Sequence, residues 1–201
     1  MSQTDMQEVE IKLHTPDLAP VQRALEAAGA VLKSPRVFER NLRYENAAGT
    51  LTAGGIVLRL RQDEQAKLTY KSGASSEDGI FRRFEAEVVV SDFATMDVIL
   101  RRLGYVVALI YEKYRTTWIL GDAEIVLDEL PYGHFTEIEA DAEEIERVVS
   151  ALGLGGYRRM SGSYVEIFAE LKWKLGLRMR DCSFEAFAGL DVDLRDLVDS
   201  S

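Results

Sequence analysis

Charged residues alternate with apolar residues along short segments of this chain, and this alternation constrains its fold more than any other feature. In the first such segment Glu8, Glu10 and Lys12 alternate with apolar residues, and later segments repeat the pattern. A β-strand sends successive side chains to opposite faces, so each segment predicts a strand with one charged face and one apolar face. The charged positions are Glu8, Glu10, Lys12, Arg59, Arg61, Lys71, Arg83, Glu85, Glu87, Lys113, Arg115, Asp128, Glu137 and Glu139.

Helical segments lie between the strands. Apolar residues at helical spacing, each run followed by a glycine, predict four helices. They cover about 18–28, 93–103, 142–152 and 163–175, and the last begins with the capping-box pattern of Ser163 and Glu166. The remaining strands are expected at 31–33, 40–44, 56–62, 67–71, 82–90, 110–120, 124–129 and 136–140, and 72–79 is expected to be a polar loop.

The helices must cover the apolar face of the strands, so the charged face is expected to point inward. A barrel of about eight strands has room for side chains or one small ligand. Salt bridges between the inward cations and carboxylates could balance such an interior without a ligand. Clustered carboxylates are also what Mg²⁺ or Mn²⁺ prefers, and clustered Lys and Arg suit a polyphosphate.

The net charge, the cysteine content and the hydropathy of the chain limit the kinds of partner and the cellular compartment that are expected. The 201 residues carry a formal net charge of −10, which argues against nucleic acid as a partner. Cys182 is the only cysteine, so no internal disulfide can form, and a reducing cytoplasm is expected. The N-terminal residues do not resemble a signal peptide, and the most apolar segment, 106–110, is too short to span a bilayer.

The order of the motifs resembles the CYTH family, the triphosphate tunnel metalloenzymes. The first is Glu-x-Glu-x-Lys at 8–12, and Leu-Arg-Leu-Arg at 58–61 and Thr-Tyr-Lys at 69–71 follow. Phe-Glu-Ala-Glu at 84–87 and Glu-Lys-Tyr-Arg at 112–115 come next, and the segments 127–130 and 133–139 are most similar to the class IV adenylate cyclase branch. Residues 43–46 depart from the family pattern.

This resemblance implies an α+β fold, an eight-stranded antiparallel tunnel with helices outside and a C-terminal helix. It implies a tunnel domain over 1–176 and an extension over 177–201, partly helical with an acidic tail. Triphosphate would be held by Lys12, Arg59, Arg61, Lys71, Arg83, Lys113 and Arg115. Mg²⁺ or Mn²⁺ would be held by Glu8, Glu10, Asp128, Glu137 and Glu139. Catalytic roles would fall to Lys12, Glu85, Glu87 and Lys113, with Glu85 and Glu87 acting either as additional ligands or as partners that orient the basic residues. Lys172 or Lys174 of the last helix could reach the substrate, but the favoured expectation is that both are solvated lysines.

The function implied is that of a metal-dependent enzyme acting on a triphosphate-containing small molecule. Hydrolysis of inorganic triphosphate is the preferred prediction, because water as the nucleophile needs no nucleobase pocket. Cyclisation of ATP to cyclic AMP and pyrophosphate is the alternative, and a non-catalytic polyphosphate- or nucleotide-binding module is a further one. Neither a nucleic acid nor a membrane is expected as a partner, and a homodimer is a possible assembly.

Overall fold

A computed structural model describes residues 7–77, 79–190, 192 and 194 of the chain. The strands are β1 (Gln7–His14), β2 (Val31–Asn46), β3 (Val57–Gln62), β4 (Ala66–Glu77), β5 (Ile80–Val90), β6 (Tyr105–Leu120), β7 (Ala123–Leu130), β8 (Gly133–Glu139) and β9 (Arg158–Arg159). The helices are α1 (Ala19–Ala27), α2 (Thr50–Ala53), α3 (Phe93–Arg102), α4 (Ala142–Ala151) and α5 (Tyr164–Leu175).

Eight strands close into an antiparallel barrel. The order is β5-β4-β3-β2-β6-β7-β8-β1, and β1 returns to pair with β5. The first half of β1 pairs with β5 and the second half with β8, while β9 adds two residues beside the end of β1. The predicted eight-stranded antiparallel barrel is therefore confirmed.

The helices pack on the outer, apolar face of the barrel, as predicted. Ile11 of β1 and Ile138 of β8 are fully buried in one cluster with Leu25 of α1 and Val148 of α4. A second cluster places α3 over β2 and β3. Burial of these apolar faces is the main favourable contribution to the free energy of folding. In the described part of the chain, no helix is long and apolar enough to cross a membrane.

Two local predictions were wrong. The segments 31–33 and 40–44 belong to one strand, β2, which passes Pro35 by shifting its register against β6 between Ser34 and Val37. The predicted loop at 72–79 is largely strand, because 75–77 pair with 80–82 of β5. A register shift follows Ser72, and Gly73 takes a positive φ of 65° there, a conformation that glycine adopts without strain.

The last helix begins with the predicted capping box, in which Ser163 and Glu166 each accept the other's backbone N–H. Its buried face is Tyr164, Ile167, Phe168 and Leu171, whereas Leu175, the last residue of the helix, is 39% exposed. The buried face is set by the first residue of the helix, since positions three, four and seven residues later follow it on one side.

The described residues after Gly176 form turns that cover the end of the barrel near α5. Cys182 is buried and forms a parallel bridge with Tyr111 of β6, and Phe187 packs with the apolar face of α5. No α-helix is present in 177–190, so the partly helical character predicted for the extension is not seen there. The predicted acidic tail lies outside the described residues, apart from Val192 and Leu194.

Candidate functional site: a charged cavity in the barrel

The barrel encloses a cavity of about 370 Å³ that is lined by charged side chains. All seven cations named from the sequence reach it: Lys12, Arg59, Arg61, Lys71, Arg83, Lys113 and Arg115. Six of the seven carboxylates do so as well: Glu8, Glu10, Glu85, Glu87, Glu137 and Glu139. The structure therefore brings together nearly every charged position that the alternation pattern indicates.

The cavity is more positive than the protein around it. Its lining includes three further cations, Lys33, Arg43 and Lys67, and one further carboxylate, Glu124, which makes ten cations and seven carboxylates. The whole chain has a formal charge of −10. An anion is thus repelled by the surface as a whole but attracted into this cavity, where low-dielectric walls strengthen the interaction.

Glu8 lies between two cations contributed by neighbouring strands. Its two carboxylate oxygens each accept a hydrogen bond from Lys71 Nζ at 2.9 Å, and Arg83 Nε donates to the same carboxylate. Burial favours the neutral form of Glu8, but the charges of Lys71 and Arg83 outweigh it and lower its pKa to about 2. The carboxylate therefore stays ionised and holds both cations in the cavity.

Lys12 is buried and pairs with Glu137 of β8, its direct cross-strand neighbour. Its ammonium group also lies 4.4 Å from the ring centre of Tyr164, the first residue of α5. Burial alone would lower the pKa of Lys12, but the charges of Glu137 and Glu10 raise it. Lys12 therefore acts as a fixed positive charge and not as a proton acceptor at neutral pH.

Asp128 is the one predicted carboxylate that the structure does not bring to the cavity. It is fully buried on the inward face of β7, where Lys113 Nζ donates to it at 2.9 Å and Arg115 Nε at 2.7 Å. Tyr164 also donates its hydroxyl to Asp128, at 2.8 Å. These contacts use both carboxylate oxygens, and they hold two cavity-lining cations and α5 in place.

Glu39 was missed by the sequence reasoning. It is 2% exposed and lies 3.5 Å from Lys113, 3.8 Å from Arg115 and 3.7 Å from Arg61. Burial raises its pKa, but these cations outweigh that effect and lower it to about 2. The signal was present in the sequence, because Glu39, Asn41 and Arg43 continue the alternation along β2.

Glu85 and Glu87 orient cations of the wall formed by β3 and β4. Glu85 lies 2.7 Å from Lys71 Nζ. Glu87 lies 3.0 Å from Lys67, 3.5 Å from Arg61 and 3.7 Å from Arg59. Of the two roles predicted for this pair, additional ligand or orienting partner, these contacts describe the second.

Three carboxylates face one another across β1, β8 and β7. Glu139 is the direct cross-strand neighbour of both Glu10 and Glu124. The Glu139 side chain keeps contact with solvent, yet enclosure by the barrel walls and the nearby charges of Glu8 and Glu10 raise its pKa to about 7. Like charges directly opposite one another destabilise a sheet, and a cation between them would relieve the repulsion.

The carboxylates of Glu10, Glu139 and Glu124 suit a divalent metal ion, since carboxylate oxygens are the ligands that Mg²⁺ and Mn²⁺ prefer. Within the described residues, however, no three His, Cys, Asp or Glu side chains converge into a ready-made metal site. Glu8, Glu10 and Glu137 are each close to lysine or arginine. Metal binding here would therefore require these carboxylates to exchange part of their cation contacts.

The start of α5, not its lysines, reaches the cavity. Ser163, Tyr164 and Val165 line it, and neither Lys172 nor Lys174 belongs to the described lining. Lys172 lies over the ring of Phe168 at 4.7 Å, and Lys174 lies 3.3 Å from Glu170. Of the two alternatives for these lysines, their placement therefore does not support the one in which they reach the substrate.

A protein-family model and several solved structures match this chain. The model of the CYTH domain family matches residues 6–153. A putative adenylate cyclase from Vibrio parahaemolyticus superposes with a TM-score of 0.69 at 23% identity, over 81% of this chain and 97% of that chain. A Pyrococcus horikoshii protein superposes with a TM-score of 0.66 at 24% identity, over 79% and 98%.

A putative adenylyl cyclase from Hippeastrum, described as having a dominant triphosphatase activity, superposes with a TM-score of 0.62 at 20% identity, over 81% of this chain and 95% of that chain. At these levels of identity the likeness shows a shared fold. A comparison with curated protein sequences finds no significant match.

Proposed function

The chain belongs to the CYTH family, and from this premise we propose that it is a divalent-metal-dependent enzyme that hydrolyses inorganic triphosphate. The observation that carries the proposal is the charge of the cavity, which has ten cations and seven carboxylates inside a protein of net charge −10. A linear polyanion with several phosphate groups matches a lining in which cations come from six different strands. A single small anion would use only a fraction of them.

The proposed substrate-binding residues are Lys12, Arg59, Arg61, Lys71, Arg83, Lys113 and Arg115. Arginine presents a planar fork of donors that can bind two phosphate oxygens at once, and lysine supplies a compact charge. Carboxylates behind or beside them hold the cations in place, as Glu8 holds Lys71 and Arg83. Preorganised cations stabilise the charge that develops on the phosphate oxygens in the transition state without reorganising during the reaction.

Mg²⁺ or Mn²⁺ would be held by carboxylates of β1 and β8, with Glu10, Glu137 and Glu139 as proposed ligands beside Glu8. When bound, the ion would neutralise phosphate charge and lower the pKa of a coordinated water. Asp128 was predicted to be a ligand, but its burial and its bonds to Lys113 and Arg115 support a positioning role. Lys12 and Lys113 are proposed to contact the reacting phosphate, and Glu85 and Glu87 to orient cations around it.

Cyclisation of ATP to cyclic AMP is the second candidate, favoured by fold similarity to proteins described as putative adenylate cyclases. A cyclase must also hold a nucleobase, and such sites are usually lined by apolar or aromatic side chains. Among the described lining residues the apolar side chains are Val57, Val126 and Val165, and the aromatic ones are Tyr111 and Tyr164. Because Tyr164 is already engaged with Lys12 and Asp128, this composition favours hydrolysis of a triphosphate without a base.

A product assay tests the proposal. The purified chain is incubated with tripolyphosphate and, separately, with ATP, each with Mg²⁺ or Mn²⁺. We expect release of phosphate from tripolyphosphate and little cyclic AMP from ATP. Cyclic AMP and pyrophosphate as the main products would support the cyclase instead. Binding of tripolyphosphate without turnover of either compound would support a non-catalytic binding module.

A further inference from the structure

Arg43 is a cavity-lining cation that no motif of the family resemblance includes. It lies on β2, in the same inward-facing row as Glu39 and Asn41. Its direct cross-strand neighbours are Arg59 of β3 and Leu109 of β6. The half-buried side chain faces the cavity at the end where α5 begins, because its neighbour Arg59 donates to the hydroxyl of Tyr111, which packs in one cluster with Tyr164 of α5.

Among the described residues, Arg43 differs from the other lining cations in having no carboxylate partner. Each of the other nine has an Asp or Glu oxygen within 4.0 Å. In the part of the chain that the structure describes, Arg43 makes no hydrogen bond or ion pair with any carboxylate. Burial and the charges of Arg59 and Arg83 lower its pKa, although arginine remains protonated at neutral pH.

The surroundings of Arg43 therefore have an excess of positive charge at one point. A polar group beside it is also incompletely satisfied. Arg59, the direct cross-strand neighbour of Arg43, lines the cavity, and its buried Nε donor has no hydrogen-bond partner among the described residues. Buried polar groups without partners are costly, so an anion with several acceptor oxygens would stabilise this corner of the cavity.

We propose that Arg43 is a substrate-binding residue that, together with Arg59, holds a terminal phosphate group at the end of the cavity next to α5. This inference rests on the proposed function and assigns one part of the substrate to one place. A terminal phosphate carries about −1.5 to −2 charges at neutral pH, more than an internal phosphate of the chain. It therefore matches the point where cations are not balanced by carboxylates.

The test compares Arg43→Gln, Arg43→Lys and a matched control, Arg23→Gln, which removes the same charge from the exposed surface of α1. Binding of tripolyphosphate is measured by titration calorimetry in EDTA, and KM is measured with Mg²⁺. We expect Arg43→Gln to raise the Kd at least about tenfold, equivalent to about 1.4 kcal/mol. Arg43→Lys should lose less, and Arg23→Gln should match the wild type.

Melting of the ligand-free variants separates binding from folding. Because Arg43, Arg59 and Arg83 repel one another, ligand-free Arg43→Gln should melt at the same temperature as the wild type or higher. An unchanged Kd in Arg43→Gln, with the wild type binding normally, overturns the inference alone. Weak binding accompanied by a lower melting temperature also overturns it, in favour of a structural role. A wild type that does not bind tripolyphosphate removes the proposed function and this inference together.

Discussion

Replacement of Asp128 by Asn is expected to destabilise the protein strongly, because it removes the negative charge that holds the buried Lys113 and the half-buried Arg115. Lys113 and Arg115 both donate to Asp128, and all three lie on the inward face of the barrel. Breaking a buried ion pair by removing one partner typically costs about 3–5 kcal/mol. Glu39 remains within 3.5 Å of Lys113 and 3.8 Å of Arg115 and compensates in part, so a cost of about 3 kcal/mol is expected.

Urea denaturation of the metal-free protein in EDTA measures this cost. For a domain of this size a loss of about 3 kcal/mol corresponds to a fall in melting temperature of roughly 6–12 °C. Asp122→Asn, in the exposed turn between β6 and β7, is the matched control and should change little. The reasoning fails if metal-free Asp128→Asn is as stable as the wild type and only its response to Mg²⁺ is lost. That result would make Asp128 a metal ligand.

Three further predictions concern single parts of the site. Glu139→Gln should stabilise the metal-free protein at pH 8 but not at pH 4. Folding raises the pKa of Glu139 from 4.5 to about 7, so the ionisation of this carboxyl lowers the free energy of unfolding as the pH rises through that range. The gain should be about 1 kcal/mol after screening at this exposed position, and urea denaturation at both pH values, with Glu143→Gln as control, measures it. Lys12→Ala should weaken tripolyphosphate binding at least about tenfold, as measured by calorimetry; a folded variant with unchanged affinity would contradict the assignment. EDTA should abolish turnover and Mg²⁺ or Mn²⁺ should restore it, whereas full activity in EDTA would exclude the metal requirement.

The inward direction of the charges could be predicted because it follows from a two-residue period and from the helices that must cover the apolar face, whereas the eight-stranded antiparallel barrel was implied by the family resemblance. Once helices cover the apolar face of the strands, the charged face must point into the interior of the barrel. The order of the motifs along the chain then identified the family. The pairing of β2 with β6 and the closure of β1 on β5 connect distant parts of the chain, and no local pattern in the sequence specifies them.

The errors have physical causes in particular residues. The predicted segments 31–33 and 40–44 left out Glu39, so the inward row of Glu39 and Arg43 was not recognised; Pro35, which lacks a backbone N–H, lies in the gap between the two segments. Asp128 lies on the charged face as predicted, but its depth was not predictable. That depth depends on Tyr164, which enters from α5 and donates to it. The two-residue period of a strand determines the face to which a side chain points. It does not determine which helix or strand from a distant part of the chain covers that side chain.

The most direct test of the account is the melting temperature of the wild type with different anions in the presence of Mg²⁺. A ligand that binds only the folded state stabilises it by about 2.7 kcal/mol at a hundredfold excess over its Kd. For a domain of this size the shift is roughly 5–10 °C. Tripolyphosphate should produce a shift of this kind, and sulfate or monophosphate at equal concentration should produce much less. Equal shifts with all three anions would show a generic charged surface and contradict the assignment of the cavity as a triphosphate site.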